Sequence, residues 1–179
     1  MALLLMLSQP LQAIALPMNQ VSAQPIHLTA QPTTAVLPGL KGVFASERPD
    51  NLGVADGHLA GCPATPNCVV SQGADADHLV APIVYEGDRE TARKNLIDIL
   101  GVVPRTKIVE QRDDYILAES ESRLMGFVDD SEFYFPEGEK VIQVRAAARL
   151  GESDLGVNRR RIEQIRLAFN DLTKRLNAS

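Results

Sequence analysis

Asp130, Glu132, Arg145 and Arg149 are the residues whose types and spacing suggest chemistry in this chain. Residues two or four apart on an extended strand share a face. Two carboxylates on one strand and two arginines on its neighbour would therefore meet, and Glu119 and Glu121 share the parity to join them. Arginine presents a planar fork of donors that matches carboxylate or phosphate. One reading is cross-strand ion pairing on a solvated sheet face, where each pair contributes about 0.2–1 kcal/mol. The other is a recognition surface, with the arginines taking an anionic group and the carboxylates holding them in place.

Asp129 stands apart from this set. By parity it lies with Phe127 and Phe133 on the face that should be covered, and a buried carboxylate needs a charged partner or several donors. Arg159 or Asn158 is the expected partner, and a β-bulge at Asp129-Asp130 would be another way out. A catalytic acid is the functional alternative. The corner 151–159, with Gly151, Glu152, Ser153, Asp154, Gly156 and Asn158, is dense in turn residues. It leads into a helix N-terminus, whose free N–H groups attract anions. Arg159, Arg160 and Arg161 oppose the helix dipole there, so they either answer Asp129, Asp154 or Glu152 or draw in an anion.

No Ser/His/Asp order, nucleophile elbow, dinucleotide fingerprint or Walker glycine pattern is present. All three histidines (His27, His58, His78) precede the region of regular strands. An enzymatic alternative would be hydrolase-like or metal-assisted and would rest on Asp129, Asp130 and Asp154; Asp130 with Glu132 is a further carboxylate pair for acid–base work or a divalent cation. Neither a cofactor nor a resident metal is expected.

The elements that must position these residues follow from periodicity. Asp88 is a candidate N-cap, with Glu90 in the first turn and Ala92, Leu96, Ile99 and Leu100 as an apolar stripe; Gly101 should stop this helix and Pro104 prevent its return. Strands are expected at 107–111 and 115–121 around the turn Arg112-Asp113-Asp114, and at 126–135 and 140–149 around Pro136-Glu137-Gly138-Glu139. A final helix over 158–176 carries Ile162, Ile165, Phe169, Leu172 and Leu176 on one face. The fold class is α+β: a four-stranded antiparallel meander with N- and C-terminal helices packed on one face.

The chain has 179 residues, 45% of them hydrophobic, enough for one domain with a proper core. A net charge of −5 and 4% aromatic content with no tryptophan argue against a nucleic-acid partner. Residues 1–23 form a signal-like apolar segment, with candidate cleavage sites at Ala13-Ile14-Ala15 and Val21-Ser22-Ala23 but no Lys or Arg before the apolar run. Residues 24–51 read as a proline-rich disordered linker and 52–177 as the domain. Cys62 and Cys68 bracket Pro63 and Pro66. Spacing and compartment favour a disulfide, with two free thiols, or zinc held with His58 and His78, as alternatives.

The residues Cys62-Pro63…Pro66-Asn67-Cys68, Gly126-Phe127-Val128-Asp129-Asp130…Glu132-Phe133 and Arg145…Arg149…Gly151…Ser153-Asp154-Leu155-Gly156-Val157-Asn158-Arg159…Arg161…Glu163 resemble the domain-of-unknown-function family 1499 (DUF 1499). The resemblance spans roughly 61–175. Serines usual in the family beside the two arginines are replaced here by Ala146, Ala147 and Ala148. The resemblance carries no activity. With the signal-like start it implies an exported protein of the thylakoid lumen or periplasm, of cyanobacterial or plastid type. The expected role is a non-catalytic binding or assembly factor near photosynthetic or envelope membranes. Its partner would be a protein or an anionic small molecule or lipid, with possible peripheral membrane association, and its ligand-binding set would be Asp129, Asp130, Glu132, Arg145, Arg149, Ser153, Asp154, Asn158 and Arg159. A purely structural domain is the remaining alternative.

Overall fold

The computed structural model describes residues 46–178. The apolar segment 1–23, most of the 24–51 linker and His27 lie outside the described residues.

The described chain opens with a small hairpin, β1 (Val54–Ala55) and β2 (His58–Leu59). Its two-residue turn places Asp56 at φ 51° and Gly57 at φ 76°, the left-handed pair that matches strand twist. Two short strands follow, β3 (Cys68–Val70) and β4 (Ile83–Val84). Cys62 and Cys68 form a disulfide, their Cα atoms 5.5 Å apart. The histidines of the zinc alternative are engaged elsewhere: His58 Nδ1 lies 2.9 Å from the Asp56 carbonyl, and His78 Nδ1 lies 2.8 Å from Asp75 Oδ1.

Helix α1 (Arg89–Val102) begins where the sequence implies, with the Asp88 carboxylate accepting from the Thr91 N–H at 2.7 Å. It runs through Gly101 and ends only as Pro104 approaches. Strands β5 (Thr106–Gln111), β6 (Tyr115–Glu121), β7 (Val128–Tyr134) and β8 (Val141–Ala148) pair consecutively and antiparallel. The sheet is nevertheless wider than the four strands expected. Strand β3 pairs with β8 at 145–147 and β4 pairs with it at 141–142, giving six strands in an α+β fold. Strands of two or three residues carry no periodic signal, so only their partner on β8 defines them.

Helix α2 (Val157–Asn177) closes the chain and buries Asn158, Ile162, Ile165 and Phe169. With α1 it covers the sheet face of Ile116, Ala118, Phe133, Phe135, Ile142, Val144 and Ala146, the principal core. The opposite face is covered too. Leu52, Val54, Leu59 and Cys62 pack there on Tyr115, Leu117 and Val70, so the N-terminal loop of the domain lies over the side that alternation left open. No described helix is long and apolar enough to cross a membrane.

Candidate functional site

The charged residues singled out by alternation fall on both sides of β7. Asp130, Glu132, Arg145 and Arg149 do converge on one face, but that face is neither solvated nor open. Glu132 is fully buried and accepts from Arg145 Nη1 at 2.8 Å, the Tyr115 hydroxyl at 2.8 Å and the Gly53 N–H at 2.7 Å. Burial first, then the charge of Glu132, pushes the Tyr115 phenol well above its ordinary value. Arg112 lies over the same ring, 4.5 Å from its centroid. Arg149 donates from Nε to Asp130 Oδ2 at 2.8 Å and from Nη2 to Asp130 Oδ1 at 2.7 Å, and it also bonds Glu119. Glu119 accepts in turn from Arg48 Nη2 at 2.6 Å. Burial raises the Glu119 carboxyl, but its bonds to Arg48 and Arg149 outweigh that and hold it below the usual range. Glu121 is exposed and outside this network. The expectation of a solvated or accessible face is thus corrected: these side chains are interior, and the 46–62 loop seals them in.

Asp129 sits on the helical face, as parity requires. Its partner is neither Arg159 nor Asn158 but Arg161, whose Nη2 donates to Asp129 Oδ2 at 2.7 Å. Asn158 steadies the same guanidinium, its Oδ1 accepting from Arg161 Nη1 at 2.7 Å. The helical wheel explains the difference. Asn158, Arg161, Ile162 and Ile165 lie three or four apart and face the sheet, whereas Arg159 is turned about 100° away. There it donates to the Leu79 and Asp77 carbonyls, at 2.7 and 2.5 Å. No bulge relieves Asp129, because the β6–β7 and β7–β8 registers run unbroken through it; the irregularity lies at Ile108/Glu110. Burial pushes the Asp129 carboxyl above its ordinary value against the pull of Arg161, and the charges of Asp154 and Asp130 add to the rise.

The α2 N-terminus already holds an anion of its own. Asp154 Oδ1 accepts from the Gly156 N–H at 2.8 Å and Oδ2 from the Asn158 N–H at 2.7 Å. Ser153 is exposed, its Oγ 3.3 Å from the Leu155 N–H. The buried Asn158 side chain also donates to the Asn67 carbonyl at 3.2 Å, tying the corner to the cysteine loop. Asp129, Asp130 and Asp154 therefore do three separate jobs: one lines a cleft, one pairs with Arg149 on the other face, and one caps a helix. Among the described residues no three His, Cys, Asp or Glu side chains are grouped to hold a metal ion.

The open feature at this junction is a cleft of about 400 Å³ whose lining includes Arg105, Ser120, Ser122, Arg123, Asp129, Arg160 and Arg161. Four arginines face two carboxylates, Glu121 and Asp129, in a chain that is acidic as a whole. Arg161 is held by Asp129. Arg105 Nε donates to the Glu121 carbonyl at 3.1 Å and Arg160 Nη1 to the Leu155 carbonyl at 2.9 Å. None of Arg105, Arg123 and Arg160 has a carboxylate partner among the described residues. Arg105 also holds the left-handed conformation at φ 56°, which is costly for a side chain with a Cβ. Sequence reasoning named Asp129, Arg160 and Arg161 but missed Arg105 and Arg123. Both lie in loops, where strand parity says nothing, and nothing in the sequence around Pro104-Arg105 or Ser122-Arg123 sets them apart from other arginines of the chain.

Fold and site together define a small, disulfide-bonded α+β domain with a cationic cleft between its helical layer and one end of its sheet. Residues 58–169 match the family described as Protein of unknown function (DUF1499), and the chain belongs to that family. No curated protein and no solved structure matches it.

Proposed function

We propose that this is a non-catalytic binding domain whose site is the arginine-lined cleft beside Asp129, and that its ligand carries an anionic group such as a phosphate or carboxylate. The observation that carries the reading is the gathering of Arg105, Arg123 and Arg160 around one cavity without carboxylate partners among the described residues. Guanidinium groups left in this state are poised for an external anion. The ligand set expected from the sequence shifts accordingly: Asp129 stays at the site, while Arg145 and Arg149 support it from within the fold. Location in an exported, oxidising compartment, thylakoid lumen or periplasm, is part of the proposal. It is supported by the apolar 1–23 segment and by the Cys62–Cys68 disulfide, a bond that persists in oxidising compartments.

The test is a titration with inorganic phosphate, followed through backbone amide and arginine Nε resonances. Saturable shifts at Arg105, Arg123 and Arg160 are expected, and Arg160→Ala should remove them while the spectrum stays that of a folded protein. A protein that shows no shift at these residues, or shifts that Arg160→Ala leaves intact, overturns the assignment.

A further inference from the structure

The cleft is lined by the α1–β5 turn, the end of β6 with the loop after it, Asp129 of β7 and the first turns of α2. Each of its three arginines without a carboxylate partner among the described residues lies within five residues of an exposed aliphatic side chain beside the lining. The end of α1 supplies Val102 and, three residues on, Arg105. The β6–β7 loop supplies Arg123 and Leu124. The first turn of α2 supplies Arg160, which donates to the carbonyl of Leu155 in the loop just before the helix. Val102, Leu124 and Leu155 are 79%, 82% and 84% exposed, more than any other large hydrophobic residue described. Leu155 also sits at φ 54°, a conformation that glycine adopts freely and a leucine does not. An aliphatic side chain held there in solvent serves neither packing nor backbone geometry. A smaller apolar pocket of about 210 Å³, lined in part by Ile99, Val102 and Ala168, shares Val103, Pro104 and Arg161 with the cleft, so the cationic cavity opens directly onto apolar surface.

We propose that this rim docks onto a membrane surface containing anionic lipid. Arg105, Arg123 and Arg160 take the lipid phosphates, and Val102, Leu124 and Leu155 enter the boundary between headgroups and acyl chains. Interfacial binding draws on this combination of buried apolar area and attraction to anionic headgroups. The acidic chain as a whole is repelled by such a surface, so docking depends on the local cluster. The inference rests on the anion-binding reading of the same cleft and adds the source of the anion.

The experiment is co-flotation of the full chain with vesicles of phosphatidylcholine alone and of equal parts phosphatidylcholine and phosphatidylglycerol. Residues 1–23 contain no charged side chain, so the side chains of that segment add no dependence on lipid charge. The measured quantity is therefore the excess on the anionic vesicles. An excess that salt weakens is expected, falling about fivefold with Arg123→Ala. The double change Leu124→Ser/Leu155→Ser should abolish it while phosphate still shifts the Arg160 resonances. If phosphate shifts those resonances but no excess appears, the cleft serves a soluble anion and the membrane inference falls alone. If neither occurs, the anion-binding reading falls with it. An excess that survives both substitutions overturns docking through this rim.

Discussion

Arg145→Met separates an interior ion pair from a surface one. In the folded protein Arg145 and Glu132 are nearly or fully buried and 2.8 Å apart. Removing one partner of such a pair leaves an uncompensated buried charge, a loss of about 3–5 kcal/mol. Two details place Arg145→Met toward the lower end of that range. Arg145 Nε has no hydrogen-bond partner among the described residues, so its removal also relieves an unsatisfied donor. Glu132 keeps the Tyr115 hydroxyl and the Gly53 N–H after the substitution. Glu132→Gln alone retains an acceptor for those two donors and strands the guanidinium instead, so a similar loss is expected. In the double variant neither charge of this pair remains, and the cost should fall to about 1–3 kcal/mol for one poorly matched amide. The single changes are thus strongly non-additive. Urea denaturation of the oxidised protein measures all four corners of the cycle, with an unchanged slope showing that only stability has moved. An Arg145→Met loss below about 1 kcal/mol, the value of an exposed pair, together with additive single changes, would mean that the loop over this face does not seal the pair from water.

Three shorter predictions accompany it. Reduction of Cys62–Cys68, which closes a loop over six positions, should lower stability by about 2 kcal/mol in the chain-entropy account; identical urea midpoints with and without reductant would refute this. Leu155→Gly should stabilise the fold by about 0.5–1 kcal/mol, the relief of the left-handed leucine less the entropy that glycine adds to the unfolded chain; a lower midpoint would show that Leu155 packs. Asp129 has a folded pKa raised above its ordinary 3.8, so the folded state holds its proton more tightly, and the stability linked to this proton is full below pH 3.8 and lost as pH rises through the raised value. The stability of wild type relative to Asp129→Asn should therefore decline as pH rises above 3.8, and a difference that grows with pH would reverse the assignment.

Strand parity and helix caps were legible at residue level. The sequence expectation for β6 coincides with its observed bounds, the Asp88 cap forms, and alternation assigns Asp129 and Asp130 to their correct faces. What alternation lacks is any account of what covers a face. The 52–62 segment shows turn chemistry but no period, and long-range contacts place it: Leu52, Val54 and Leu59 against Tyr115 and Leu117, and the Gly53 N–H on Glu132. That placement turns four solvated charges into a buried network, a reversal that pairwise spacing within β7 and β8 does not encode. For Asp129 the sequence put Arg159 or Asn158 forward and offered Arg161 only among the three arginines that could answer a carboxylate; the rotation of α2, which spacing alone did not apply, selects Arg161. The cleft itself depends on two loops meeting the first turns of α2, and the loop arginines Arg105 and Arg123 have no parity to betray them.

The adjacent carboxylates of β7 connect these two regions. Asp130 is fixed from below by Arg149, and Asp129 from above by Arg161, across a single peptide unit. The backbone at this point is therefore held by charge-assisted hydrogen bonds on both faces and by strand pairing on both edges. Arg161 is further constrained by Asn158, which is anchored in turn to the Asp154 cap and the Asn67 carbonyl beside the disulfide. Each of these supports ends in regular structure or in a covalent link, whereas Arg105, Arg123 and Arg160 project from the exposed rim. A rigid floor with adaptable arginines around it suits capture of a small charged group, because the ordering cost on binding falls on three side chains rather than on the fold. On this argument the buried network that alternation first brought forward is the footing of the site, and the cleft above it is where a ligand meets the protein.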